Sequence, residues 1–540
     1  MRKYYLNKNN IQKLIFVITL IFNVLLIIIL FAGLSSKNIN NYLSSDMLYL
    51  PSIYKDLIID KSGLAGWNLN AAPNFLPDMM IFFIIRSFFS HFIPACFTFS
   101  ILQVVTVLIL LSTLYKIVFK ELNYIHLSFA SLLMSMFLMA YLVNHDFVYS
   151  FYMLSISYHI GAFIMALLSM ILMFKFLKTE KNLHLAILFT ISLLSVINDK
   201  LYVIMFSIPV FSLLLMLIIE KEKRNVLIKI LAANIISLVL GLFLYRMLKL
   251  SGYVHIIGLS WKTFNFVNII PSLKIFLEQH LSYISKFDFR GIINLLFLFS
   301  FITHIIFLIK NLSKALKGKE FNKNELTYLL VFTTFLFITL TAPILNGSYV
   351  SMAILRYNIY SLYAGVFSIG FLLYKFRLPL NYLKIVLVIF LFVESVFIIS
   401  KIKNQDIING LSNFMNYYPE EVQYIDQLAK ENNLKYGVAE YWNAKHTTML
   451  SRQNVRIYTV LSDVAAWYHV TNQNWFYKGG KGDYGNPEFN FIITQRLNKE
   501  NILRQLGNPI DTLYCANGLE IFVFPEFEFE KKTRKPTIKN

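Results

Sequence analysis

The chain alternates long apolar runs with short polar connections. Most of the runs are about 18–25 residues long, which is the length that an α-helix needs to cross a bilayer. Charged residues are rare inside the runs and collect between them. The pattern predicts a polytopic α-helical membrane protein with about eleven spans, over residues 14–33, 94–116, 123–143, 158–177, 183–198, 201–219, 226–245, 291–310, 326–343, 354–374 and 382–400.

Two large loops interrupt the predicted transmembrane domain of residues 1–400. Residues 34–93 follow the first span, and residues 246–290 form a second loop with an amphipathic stretch at 271–284. The apolar stretch 77–91 is short and carries Arg86. We expect it to lie in the outer interface or to re-enter the bundle, because a full span there would invert every later loop.

The tail after residue 400 is more polar than the rest of the chain. Apolar positions with helical spacing predict helices over 419–432 and 499–506, and alternating or β-branched stretches predict strands over 435–441, 455–461, 489–494 and 519–524. This mixture predicts an α/β domain over residues 401–530, followed by a disordered tail over 531–540. Lys445 and Lys481 lie in polar parts of this region and are expected to be exposed.

Charge placement gives the orientation. The net charge of +20 would suggest a nucleic-acid partner in a soluble protein. In a multi-span protein the better explanation is that Lys and Arg collect in cytoplasmic loops, so no nucleic acid is expected. The segments 144–157 and 344–355 lack Lys and Arg, whereas the intervening connections carry Lys116, Lys120, Lys175, Lys178, Lys181, Lys221, Lys223, Arg224, Lys310, Lys314, Lys317, Lys319, Lys375 and Arg377. With an odd number of spans, the N-terminus is predicted to be cytoplasmic and the C-terminal domain extracytoplasmic.

Composition supports the membrane class. Hydrophobic residues make up 57% of the 540 residues and the mean hydropathy is +0.57, which excludes a soluble enzyme, a disordered chain and a fibrous repeat. The two cysteines, Cys96 and Cys515, exclude a disulfide framework and a cysteine-rich metal site. Frequent Asn, Lys and Ile are typical of an AT-rich bacterial genome, so the expected location is a bacterial inner (cytoplasmic) membrane.

Two acids in the first loop are candidate site residues. Asp46 follows Ser44 and Ser45 about a dozen residues after the first span. It is either a helix cap at the membrane surface or a functional carboxylate. Asp78 lies where the stretch 77–91 begins, and a carboxylate there either stabilises the helix dipole or serves a site.

Further candidates lie at the predicted outer ends of later spans. His145 and Asp146 follow the third span, on the same predicted membrane face as Asp46. Two carboxylates at the same boundary between water and lipid can bind one metal ion together, or one can act as a base and the other as an electrostatic stabiliser. Lys200 and Arg356 each begin a span at its outer end, where a cation either binds a phosphate or snorkels to the lipid head groups. The sequence has no nucleotide-binding motif, so an ATP-driven machine is not expected.

Together these features resemble the integral-membrane GT-C glycosyltransferase superfamily, in its bacterial branch of protein-mannosyltransferase-like and aminoarabinose-transferase-like enzymes. Members open the first outer loop with a catalytic Asp, often as Asp-Glu-x-x-Tyr, which here reads Asp46-Met47-Leu48-Tyr49. A proline-containing step, a second outer acid, a lysine early in a later span and an Arg-Tyr pair follow, here as Pro73 to Pro77, Asp146, Lys200 and Arg356-Tyr357. Met47 stands where the family pattern has Glu. This departure argues against a metal site formed by two adjacent carboxylates at this point.

The resemblance implies a transferase that moves a sugar from a polyprenyl-phosphate donor to a lipid, glycan or protein acceptor. Asp46 would be the base of an inverting displacement, and Lys200 and Arg356 would stabilise the leaving phosphate. Asp146, with His145, would bind the acceptor or a divalent cation (Mg²⁺, Mn²⁺ or Zn²⁺) shared with Asp46. Further substrate-binding candidates are Tyr49, Tyr357 and Asp78.

Two other classes of function remain open. Transporters or flippases of lipid-linked sugars carry ionisable groups at mid-membrane, and only Glu394 and His304 fit that description here. A catalytically inactive scaffold is allowed by Met47 and by the large tail.

Overall fold

The structure, a computed structural model, describes residues 8–144, 147–257, 266–351, 354–404, 406–476, 487–514 and 518–528. Up to residue 404 it is almost entirely helical. The helices of this part are α1 (Lys8–Ala32), α2 (Ser36–Tyr42), α3 (Tyr49–Tyr54), α4 (Met80–Arg86), α5 (Phe92–Val118), α6 (Tyr124–Asn144), α7 (Phe147–Leu154), α8 (Ile160–Thr179), α9 (Asn182–Asn198), α10 (Ile208–Val210), α11 (Leu213–Ile219), α12 (Arg224–Leu250), α13 (Phe266–Ile284), α14 (Phe289–Leu316), α15 (Lys323–Leu345), α16 (Leu355–Phe367), α17 (Ile369–Lys375) and α18 (Leu380–Asn404).

Eight helices in the described ranges are long and apolar enough to cross a membrane: α1, α5, α6, α8, α12, α14, α15 and α18. The chain is therefore a polytopic helical membrane protein. Its helices bury one side against each other and expose apolar side chains on the other. On α18, for example, Val388, Phe392 and Val396 lie exposed one turn apart, as expected of a face that contacts lipid.

The first loop folds into short helices between α1 and α5. The helix α4 has seven residues, too few to span a bilayer, so the stretch 77–91 does not invert the predicted order of loops. Arg86 does not reach outward from it. The Arg86 guanidinium lies 5.0 Å from the Tyr54 ring and donates hydrogen bonds to the carbonyl oxygens of Phe89 and Ser90.

The two large loops meet in a small parallel sheet. Strand β1 (Asn68–Leu69) from the first loop pairs with β2 (His255–Ile256) from the second. The amphipathic helix expected at 271–284 is longer than predicted and starts at Phe266, with Pro271 inside it.

The C-terminal segment contains a five-stranded mixed sheet in the order β4-β3-β5-β7-β6, with β3 (Tyr436–Ala439), β4 (Arg456–Thr459), β5 (Phe489–Ile493), β6 (Asp511–Tyr514) and β7 (Glu520–Phe527). The pairs β3–β4 and β3–β5 are parallel, and β5–β7 and β6–β7 are antiparallel. The helices of this segment are α19 (Ile407–Met415), α20 (Glu420–Asn432), α21 (Tyr441–Leu450) and α22 (Lys499–Leu506). Each predicted strand and helix has a counterpart, whereas α19, α21 and β6 were not predicted.

A buried carboxylate ties the first loop to this C-terminal segment. The Oδ2 atom of Asp56 accepts hydrogen bonds from the indole N–H groups of Trp67 (3.0 Å) and Trp475 (2.9 Å) and from the Asn472 amide (3.1 Å). Trp67 comes from the first loop, and the other two donors come from the C-terminal segment. The carboxylate thus satisfies three buried donors at once, and its position fixes how the two parts meet.

Candidate functional site

Asp46 lies in the turn between α2 and α3, at the junction of the helical part and the C-terminal segment. Its Oδ1 atom accepts a hydrogen bond of 2.6 Å from the Tyr441 hydroxyl, and its Oδ2 atom accepts one of 3.2 Å from the Tyr158 hydroxyl. The N-cap of α3 is Leu48, which makes no side-chain cap hydrogen bond. The geometry therefore does not support Asp46 as a helix cap.

Lys445 lies beside Asp46. Its side chain is buried, so the prediction that it is exposed is wrong. Lys481, for which the same prediction was made, lies outside the described residues. Tyr441 and Lys445 are four residues apart on α21 and therefore share one helix face. The Lys445 ammonium donates to the carbonyl oxygens of Ser45 (3.3 Å) and Val470 (3.0 Å). Burial lowers the pKa of Lys445 to about 7, and the nearby charge of Asp46 acts in the opposite direction.

Tyr158 connects Asp46 to the helical bundle. Both of its neighbours, Ser157 and His159, have left-handed backbone conformations (φ 66° and 67°). For residues with a side chain this conformation costs on the order of 1 kcal/mol or more, and such strain persists where the surroundings enforce it. Tyr360 provides one restraint, since its hydroxyl donates to the Tyr158 carbonyl oxygen. Burial raises the pKa of Tyr158 and the charge of Asp46 raises it further, whereas Arg356 lowers it.

Arg356 therefore lies close to the same group of side chains. Its guanidinium is 4.9 Å from the Tyr357 ring, and its charge also acts on Tyr152. Within the ranges that the structure describes, the buried Nε atom of Arg356 has no hydrogen-bond partner. The Tyr357 ring in turn lies 5.4 Å from the His159 ring. The predicted Arg-Tyr pair thus lies close to Tyr158 and His159.

Asp78 and Asp199 form a second acidic group, next to His159. The Nδ1 atom of His159 is 2.7 Å from the Asp199 carboxylate. Burial raises the pKa of Asp78 to about 7, and the charge of Asp199 adds to the effect. The Asp78 carboxyl packs so closely on Gly161 that a Cβ there would overlap its oxygens. Neither oxygen has a hydrogen-bond partner among the described residues, so Asp78 does not act as a cap.

The other predicted site residues have structural contacts. The Tyr49 hydroxyl donates to the Pro73 carbonyl oxygen (3.1 Å), inside the first loop. The Lys200 ammonium lies 4.2 Å from the Tyr245 ring, whose hydroxyl donates to the Ala71 carbonyl oxygen (3.1 Å). Tyr49 and Lys200 therefore help to position the loop.

His145 and Asp146 lie outside the described residues, so their place relative to Asp46 stays a prediction. In the rest of the chain as described, no group of three or more His, Cys, Asp or Glu side chains is arranged to hold a metal ion. Met47, at the position of the second acid, is buried, and its sulfur is 3.2 Å from the Ile156 amide nitrogen. Both oxygens of Asp46 accept hydrogen bonds from tyrosine hydroxyls. A divalent cation shared by Asp46 and Asp146 stays a prediction, because Asp146 lies outside the described residues.

Sequence reasoning missed five residues of this site: Tyr158, His159, Asp199, Tyr441 and Lys445. Asp199 precedes the candidate Lys200, and its charge was a usable signal. Tyr441 and Lys445 gave no local signal, because they reach Asp46 from almost 400 residues away.

Comparison of the chain with models of known protein families finds no match, and comparison with curated protein sequences finds none either. The fold and the site define a polytopic helical membrane protein with a carboxylate, tyrosines and a buried lysine where its helical part meets a C-terminal sheet.

Lys445 predicts a pH dependence of folding. An unfolded lysine titrates at about 10.4, whereas the folded pKa is about 7, so only the unfolded chain binds the proton between these values. Stability rises with pH wherever the unfolded state binds more protons. The melting temperature of the wild type should therefore rise from about pH 7 to 9 relative to that of Lys445→Met. Parallel pH curves would show that Lys445 stays charged in the folded protein.

Proposed function

We propose that the chain is a membrane glycosyltransferase that moves a sugar from a polyprenyl-phosphate donor to a lipid, glycan or protein acceptor. The observation that carries the proposal is the setting of Asp46. It is a half-buried carboxylate, held by two tyrosine hydroxyls, with Arg356 and Lys445 close by. A base next to cations suits a reaction that takes a proton from one substrate and releases a phosphate from the other.

The reaction would be a single displacement with inversion. The acceptor oxygen attacks the anomeric carbon, the bond from that carbon to the phosphate oxygen breaks, and polyprenyl phosphate leaves with the bonding electrons. The acceptor proton passes to Asp46. Tyr158 makes the longer of the two hydrogen bonds to Asp46. The acceptor hydroxyl would therefore replace Tyr158 as a hydrogen-bond donor to Asp46.

Arg356 is the better of the two candidates for the leaving phosphate. Its Nε–H has no acceptor within the described ranges, and its charge acts on Tyr158, whose hydroxyl donates to Asp46. A guanidinium can contact two phosphate oxygens at once, which suits a charge that develops as the bond breaks. Asp146 and His145 stay predicted acceptor ligands.

The transporter alternative draws less support. Glu394 accepts a hydrogen bond from Ser135, and His304 contacts the Ser300 carbonyl oxygen (2.8 Å) and the Tyr328 hydroxyl (3.2 Å). The Ser135 and Tyr328 contacts join two helices each, and the Ser300 contact lies within α14. These contacts explain both mid-membrane groups as part of the packing of the bundle.

The proposed topology adds three shorter crossings to the eight long helices. They are Asn182–Asn198, Val203–Ile219 and the pair α16–α17, which together make eleven. The positive-inside rule then places the N-terminus in the cytoplasm of a bacterial cell and the C-terminal segment outside its inner membrane.

Cysteine labelling tests this topology. Lys430 is exposed on α20 in the C-terminal segment, and Lys317 is exposed after α14 in a predicted cytoplasmic loop. In cells with a permeable outer envelope, Lys430→Cys should react with a membrane-impermeant maleimide, and Lys317→Cys should react only after lysis. The unsubstituted protein gives the background. The reverse pattern would invert the topology.

The direct test of the activity uses purified protein in proteoliposomes. Synthetic polyprenyl-phosphate-linked hexoses and pentoses are supplied as donors together with a membrane extract as the source of acceptors. Release of polyprenyl phosphate that depends on both components is expected. Absence of release with every donor would contradict the proposed function.

A further inference from the structure

A cleft of about 460 Å³ opens between the first loop and the C-terminal segment, beside Asp46. One wall comes from the end of α2 and the residues after it, including Asn41 and Ser44. The opposite wall comes from α20, α21 and the residues that follow β5. The volume lies within the range of about 300–1,000 Å³ that is usual for small-molecule sites.

The cleft is lined by both polar and aliphatic side chains, and its charged side chains balance. Its walls carry one acid, Glu421, and one cation, Arg496, together with three amides. The Asn443 amide donates to the Gln495 carbonyl oxygen (2.8 Å), which leaves the Asn443 carbonyl and the Gln495 amide nitrogen for a ligand, and Asn41 is the third. An amide offers donors and an acceptor side by side, as a sugar hydroxyl does. A lining of this kind favours a neutral ligand with many hydroxyl groups over an anion.

Two further features point to a ligand. Trp442 lines the cleft with 44% of its surface exposed, so its ring is available as a flat platform. The negative face of an indole attracts polarised C–H bonds, such as those on one face of a pyranose ring. His446 also lines the cleft, and its buried Nε2 atom has no hydrogen-bond partner in the described part of the chain.

The cleft adjoins the proposed base through two short segments. Ser44 in its wall is two residues before Asp46, a Cα separation of at most about 7 Å. Trp442 directly follows Tyr441, whose hydroxyl donates to Asp46. The cleft is therefore adjacent to the segments that carry Asp46 and its partner Tyr441.

We propose that this cleft binds a neutral saccharide, with Trp442 as its stacking platform and Asn41, Asn443 and Gln495 as partners of its hydroxyls. The assignment of that saccharide as the acceptor rests on the proposed function, whereas its binding does not. The sugar is either a free glycan or the head group of a neutral glycolipid.

The test is isothermal titration of the full-length protein in detergent. The soluble probes are maltotetraose, the tetramer of N-acetylglucosamine and glucose 6-phosphate, and a bilayer nanodisc carrying a neutral diglucosyl lipid tests the second source. At least one neutral probe should bind, and Trp442→Ala should weaken that binding by about tenfold or more. Trp442→Phe should recover part of the affinity, since it keeps an aromatic face.

Matched amide variants locate the binding. Gln495→Ala should weaken it, whereas Gln427→Ala, an exposed glutamine of α20 outside the cleft, should not. The proposal is overturned if no neutral probe binds up to about 10 mM, a concentration that would detect even very weak affinity. It is also overturned if Trp442→Ala binds like the wild type, or if glucose 6-phosphate binds more tightly than the neutral sugars.

The same titration separates the two proposals. Saccharide binding by a protein that releases no polyprenyl phosphate would support the cleft and contradict the transferase.

Discussion

Asp46→Asn is expected to lower the rate of sugar transfer by about 10²–10⁴-fold, the usual effect of losing a general base. The substitution keeps the size of the side chain and removes its ability to accept the acceptor proton. The variant should still fold. The Asn carbonyl oxygen can accept the Tyr441 hydroxyl, and its amide can donate to the Tyr158 oxygen, so both present contacts have a replacement.

The measurement is release of polyprenyl phosphate in proteoliposomes, with the melting temperature in detergent as the check on folding. Asp406→Asn is a matched control, because Asp406 is the exposed N-cap of α19 and Asn caps helices equally well. It should keep full activity. Full activity in Asp46→Asn as well would end the assignment of Asp46 as the base.

Asp56→Ala should cause the largest loss of stability, about 3 kcal/mol or more. The reason is the number of donors that it leaves buried. The N–H groups of Trp67, Trp475 and Asn472 lose their common acceptor, and each unsatisfied buried donor costs about 1–3 kcal/mol. Water can enter the space of the missing carboxylate and satisfy some of these donors, which reduces the cost. We therefore expect a loss of stability near the lower end of the summed range.

Unfolding of Asp56→Ala is best followed by tryptophan fluorescence, since Trp67 and Trp475 pack edge to face with ring centroids 5.4 Å apart beside the substituted residue. Limited proteolysis should also release the C-terminal segment earlier than in the wild type. Asp511→Ala removes an exposed carboxylate from β6 and should change little. Equal stability of the two variants would show that Asp56 does not join the loop to the C-terminal segment.

The two predictions are linked by their position. Asp46 and Asp56 lie at the two ends of α3, and both face the C-terminal segment. If Asp56 fixes how the two parts meet, Asp56→Ala should also lower transfer activity, through displacement of Tyr441 and Lys445. Asp46→Asn, by contrast, should lower activity without a loss of stability.

The sequence by itself determined the membrane class and most of the helical and strand segments. The reason is that these depend on local properties. A run of about 20 apolar residues can bury its backbone polar groups in a bilayer only as a helix, whatever surrounds it. The strands β3 to β5 and β7 were visible in the same way, from short apolar or β-branched stretches in a polar tail.

The surroundings of Asp46 were decided only by the tertiary structure. Its sequence neighbourhood allowed a cap or a base, and the choice depended on Tyr158 and on Tyr441, which is 395 residues away. Lys445 lies in a polar stretch that suggested exposure, and only the packing of α21 on the turn that carries Ser45 buries it. Burial and pairing over such separations depend on how elements pack in three dimensions, and a local pattern carries no information about them.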